Sequence, residues 1–93
     1  ILSDTRRPTE VRVGAARAIG RLGENRPTNK AARQALPALV AALSDAEYPV
    51  RAQSIAAIYD ICRIVRFPQY DPRKPTRRAI EIVRSSLRES GWM

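Results

Sequence analysis

The 93-residue sequence contains no histidine and one cysteine, Cys62. Without imidazole it lacks the commonest general base and the commonest metal ligand. A single thiol with no histidine builds neither a thiolate pair nor a zinc site, and it closes no internal disulfide. The carboxylates are scattered, roughly one to a turn or loop, and there is no glycine-rich phosphate loop. Catalytic, metal-binding and cofactor-binding residues are therefore assigned as none, no small-molecule substrate is expected, and the chain reads as non-catalytic. No apolar run is long enough to span a bilayer as a helix. Alternating apolar–polar runs of useful length are also missing, so no strand is expected. Aromatic residues are only 5% of the chain, which leaves Ala, Ile, Leu and Val to make the core, a composition suited to close helix packing. The chain opens with Ile1 in place of Met, and the expectation is that an N-terminal segment was removed or left out. No compartment follows from the sequence.

What is abundant is arginine. Seventeen basic residues stand against nine acidic ones, a net charge of +8, and Lys30 and Lys74 are the only lysines. The excess is uneven. Residues 63–88 carry eight basic side chains against Asp71 and Glu81. Arg73, Lys74, Arg77, Arg78, Arg84 and Arg88 make this end a candidate surface for an acidic protein, a nucleic acid or an anionic membrane. Arg77, Arg84 and Arg88 share one helix face, with Glu81 one turn from Arg77 and available to pair with it.

Periodicity predicts four main helices. The first covers 8–22, with Pro8 or Thr9 at its start, Gly23 as its stop, and a stripe of Val11, Ala15, Ala18, Ile19 and Leu22. Gly14 and Gly20 inside it are costly for a helix and predict the close approach of another one. The second covers 29–43, with Ala32, Ala35, Leu36, Leu39, Val40 and Leu43 apolar and Pro37 as a kink or break. The third covers 49–65, burying Val50, Ser54, Ala57, Ile58, Ile61, Cys62 and Val65. After a loop stiffened by Pro68, Pro72 and Pro75, Thr76 caps the fourth, 76–90, whose narrow stripe is Ile80, Val83 and Leu87. Phe67 and Tyr70 in the loop, with Trp92 at the end, are candidate partner anchors or else close the end of the core.

The chain also repeats itself. Leu2-Ser-Asp4 followed by Val11-Arg12 returns as Leu43-Ser-Asp45 followed by Val50-Arg51, and Ala18, Ile19 and Leu22 return as Ala57, Ile58 and Ile61. A period near 40 residues with two helices per unit indicates an α-solenoid. In each copy the arginine sits seven residues before an apolar position, nearly two full turns, and so leans toward the buried side. Such an arginine needs carboxylate or carbonyl partners. Asp4 and Asp45 are the candidates, acting within or between units.

At these residues the chain resembles the HEAT family of helical repeats, in which a proline lies in the first helix, an aspartate in the turn, and Val-Arg opens the second helix. Pro37, Asp45, Val50 and Arg51 match in type and spacing. The first copy keeps Asp4, Val11 and Arg12, has two extra residues in the turn and lacks the first helix. A third unit is represented by helix 76–90 alone. The resemblance implies a single all-α domain, a short right-handed α-solenoid of about two HEAT-like helical hairpins. It also implies a protein–protein scaffold, either an accessory subunit of a larger assembly or part of a longer array.

Overall fold

Prolines, small polar caps and one left-handed residue set where the helices begin and end. The computed structural model describes residues 8–25, 30–63 and 67–93, and of residues 22–25 the backbone only. Asp4, Leu22 as a stripe residue, and the end of the third expected helix at 64–65 lie outside that description. Five helices form among the described residues: α1 (Thr9–Asn25), α2 (Lys30–Gln34), α3 (Leu36–Ala42), α4 (Tyr48–Cys62) and α5 (Arg77–Glu89).

α1 begins after Pro8, whose carbonyl accepts from the N–H groups of Val11 and Arg12, and Glu10 sits in its positively polarised first turn. It runs through Gly23 to Asn25, so Gly23 is not the stop that the sequence suggests. The second expected helix is two. Pro37 has no N–H to continue the ladder, and Ala35 forms a turn between α2 and α3, its N–H shared by the carbonyls of Ala31 and Ala32. α4 starts with Pro49 in its first turn and stops at Cys62, because Arg63 is left-handed at φ 56°. Thr76 caps α5, its Oγ1 accepting from the Ala79 N–H at 3.1 Å.

α1 and α4 run parallel and pack most closely. Arg12 reaches Asp45 at one end of the pair, and Gly20 meets Ala57 further along. A Cβ on Gly20 would lie 3.1 Å from the Ala57 Cβ, so this glycine sets the helix separation. Gly14 has nothing within 4 Å of a built Cβ and plays no such role. α3 packs on α4, and α5 lies beside α3. One layer is therefore α1 with α4, and the other is α2–α3 with α5. Leu36, Leu39, Val40 and Leu43 from α3 and its end meet Val50, Ala57, Ile58 and Ile61 of α4 in the core, which Val83 and Leu87 extend.

The stripe expected to bury α1 is displaced. The buried positions are Arg12, Ala16 and Gly20, whereas Val11 is 41% exposed and Ala18 is exposed; Ala15 and Ile19 are half-buried. The cause is the small Ala16–Gly20 edge, which lets α4 sit closer than the Val11 side would allow. In α4 the repeat-equivalent residues Val50, Ser54, Ala57 and Ile58 are all buried.

Candidate interaction surfaces

The strongest polar feature is a buried ion pair between units. Arg12 donates from Nε to Asp45 Oδ2 at 3.0 Å and from Nη2 to Oδ1 at 3.1 Å, with both residues buried. This parallel two-bond fork is the strong form of the interaction. The two residues stand 33 apart in sequence, so the contact joins α1 to the turn of the next unit. Asp45 Oδ1 also accepts from the Glu47 N–H at 2.9 Å, which orders the entry to α4.

Arg51 is engaged differently. Its Nη1 donates to the Asp45 carbonyl and its Nε to the Pro72 carbonyl, both at 2.7 Å. The carboxylate that the repeat offers it is already held by Arg12. The loop after α4 thus takes the place that a following unit's turn would occupy. Its rings complete the closure. Phe67 is 8% exposed and Tyr70 4%. The Tyr70 hydroxyl donates to the Leu43 carbonyl at 2.8 Å. The Phe67 N–H donates to the Tyr59 hydroxyl at 2.9 Å, and the Tyr59 and Phe67 rings stand 6.0 Å apart. Burial pushes the Tyr70 hydroxyl up to about 12, against the opposing pull of Arg51. Phe67 and Tyr70 are therefore not available as partner anchors, and they close the end of the core.

Two of the basic residues toward the C-terminal end pair with carboxylates. Glu81 pairs with Arg84, one turn on, at 2.5 Å, not with Arg77; the acid lies on the N-terminal side of its partner, the favoured order on a helix. Asp71 accepts from the Arg73 N–H at 2.9 Å and from its Nε at 3.3 Å, bonds that hold its carboxyl below the usual range, the N–H first. Arg77, Arg78, Arg88 and Lys74 are exposed. Arg77 and Arg84 flank a hollow of about 330 Å³ with Ser44, Pro75, Ile80 and Glu81, while Arg78 lies about a quarter-turn round the helix from Arg77.

Trp92 is half-buried, and the Arg33 guanidinium lies 5.0 Å from its ring centroid. Sequence reasoning missed Arg33, although Gly91 before Trp92 was a signal that the chain folds back there. Cys62 is buried, its thiol pushed up from the ordinary 9.0 to about 11 by burial, with Arg33 pulling weakly the other way. Among the described residues no three His, Cys, Asp or Glu converge as a metal site, and no helix is long and apolar enough to cross a membrane.

Residues 11–45 match the family described as PBS lyase HEAT-like repeat, and residues 35–65 match the HEAT repeat. No curated protein and no solved structure matches the chain. The two matches together run across α1 to α4 and overlap over residues 35–45, which hold the Pro37 break and Asp45. HEAT repeats generally mediate protein–protein interactions. With two such matches across a stack of helices, and no strand among the described residues, the chain belongs to the HEAT-repeat family.

Proposed function

We propose that the chain is a non-catalytic binding scaffold, an accessory unit of a larger assembly or a section of a longer array, whose partner lays a helix on α1. The observation that carries this reading is the mismatch between equivalent faces. Val50, Ser54 and Ala57 of α4 are buried, largely under the Leu36–Leu43 segment and α1, while Val11 and Ala18 of α1 stand exposed. A repeat buries its apolar faces against neighbours, so the α1 face calls for the kind of helix that α3 supplies to α4. Arg17 and Arg21 are exposed along one edge of it, which favours acidic residues on the partner.

Nucleic-acid or membrane contact through the C-terminal arginines has less support. Arg73 and Arg84 are already held by carboxylates, and Arg78 lies apart from Arg77 and Arg84.

Size-exclusion of native extracts tests the reading. The wild-type chain should run in a particle larger than itself, and Ala18→Arg should release it, while Arg77→Ala with Arg84→Ala should not. A free wild-type chain, or an Ala18→Arg variant still in the particle, would contradict it. Release by nuclease or by the double arginine variant would favour the nucleic-acid reading.

A further inference from the structure

The end of α5 folds back to build a second, chemically distinct hollow. Gly91 is left-handed at φ +80°. Its N–H donates to the Arg88 carbonyl at 3.1 Å, and the Trp92 N–H donates to the Leu87 carbonyl at 2.8 Å, a closure that glycine serves at helix ends. The turn carries Trp92 onto α2. There Arg33 stacks on the ring and donates from Nη2 to the Gly91 carbonyl. The guanidinium is thereby fixed at the rim of a hollow of about 360 Å³, lined also by Lys30, Gln34, Pro37 and Met93.

Three features of this hollow define what would fill it. Its floor is apolar, made by Trp92, Pro37 and Met93. Its rim carries two cations, Lys30 and Arg33, and no aspartate or glutamate is among the lining residues. Its volume lies near the lower end of ligand pockets, about 300–1,000 Å³, enough for one or two side chains and too small for a folded surface. Arg33 is already ordered by ring and carbonyl, so pairing it with an anion costs little further side-chain entropy.

We propose that this hollow binds an acidic peptide segment of a partner protein, with one large apolar side chain seated on Trp92 and Pro37 and a neighbouring Asp or Glu carboxylate on Arg33 and Lys30. Charge complementarity with a chain of net charge +8 selects the acidic segment over a second copy. A membrane surface is disfavoured, because the exposed large hydrophobics among the described residues, Val11, Tyr48 and Met93, belong to three separate elements and make no single insertion face. The assignment rests on the reading of the chain as a partner-binding module, but it concerns a different face from α1.

Trp92 is the only tryptophan, so its emission reports on the hollow directly. The probe is a dye-labelled pentapeptide, acetyl-Glu-Leu-Asp-Leu-Glu-amide, titrated into the full chain while Trp92 emission and dye anisotropy are followed. The expected result is a saturable change in both, weakened about tenfold or more by Arg33→Gln and by Lys30→Glu, and weakened by added salt. Lys30 takes no part in the Arg33–Trp92 stack or in the Gly91 bond, and far-UV circular dichroism of Lys30→Glu separates an effect on the hollow from lost folding. The assignment is overturned if no saturable emission change occurs up to millimolar peptide, if the lysine counterpart of the peptide binds equally well, or if anionic vesicles shift the emission and the peptide does not. A rise in anisotropy with unmoved Trp92 emission places the peptide elsewhere; the hollow then fails as its site while the partner-binding reading stands.

Discussion

Replacing Arg12 by Met removes both donors of the fork and leaves Asp45 charged and buried, with the Glu47 N–H still bonded to its Oδ1. Breaking a buried pair by removing one partner costs about 3–5 kcal/mol, because the remaining charge is neither hydrated nor paired. Against an expected total of about 5–14 kcal/mol for a chain of this length, that is from about a fifth of the stability to nearly all of it. Asp45→Asn removes the negative charge opposite the Arg12 guanidinium, while an amide oxygen still serves the Glu47 N–H, so it too should destabilise. With both changes neither charge remains. The double variant should then lose less than the two single losses combined, by a coupling of about 2–3 kcal/mol. Urea unfolding followed by far-UV circular dichroism, on the wild type and the three variants, measures each term. The pair is shielded from solvent, so moderate salt should leave the coupling nearly unchanged. Single losses below about 1 kcal/mol, the value of an exposed pair, or losses additive within about 0.5 kcal/mol, would refute the argument that this pair locks the two units together.

Other consequences follow from the same packing. Gly20→Ala should destabilise by about 1–3 kcal/mol, since the added carbon meets Ala57 Cβ at 3.1 Å and its Cα at 3.2 Å; Gly14→Ala, with open space around it, should stabilise by about 0.5–1 kcal/mol, and both are read by thermal melts. Ser54 Oγ is buried without a hydrogen-bond partner, so Ser54→Ala should be neutral or stabilising by about 1 kcal/mol in the same assay. The Cys62 thiol, raised to about 11, should resist iodoacetamide at pH 8 until the chain unfolds. Because its folded value lies above the unfolded one, its contribution to stability is full below about pH 9 and is lost as pH rises through about 11; urea midpoints at pH 8 and pH 10.5 test this sign.

The architecture was legible because three kinds of signal agreed. The repeat of Val-Arg and Leu-Ser-Asp gave the period, the apolar spacing gave α3, α4 and α5 their buried faces, and Pro37, Pro49 and Thr76 marked helix boundaries. Less of the interaction surface could be read. The α1 stripe was visible as apolar, but which edge α4 covers depends on the approach of Gly20 to Ala57, a fact of separation that periodicity does not carry. Arg12 was seen to need a carboxylate, yet its choice of Asp45 across the unit boundary depends on parallel alignment of α1 and α4. Phe67 and Tyr70 could not be told from anchors until the loop was seen folded over Tyr59 and Leu43. The Arg33–Trp92 hollow joins residues 59 apart through a turn at Gly91, and only the three-dimensional path brings them together.

The claim that a partner covers α1 is tested most directly by the reactivity of a thiol placed on that face. The native Cys62 is buried and its pKa raised, so Ala18→Cys supplies the reactive thiol in the folded chain. The account predicts rapid maleimide labelling of this variant as the purified chain and labelling at least about tenfold slower in its native assembly, while Arg78→Cys labels rapidly in both. Equal rates for Ala18→Cys in the two settings would contradict it.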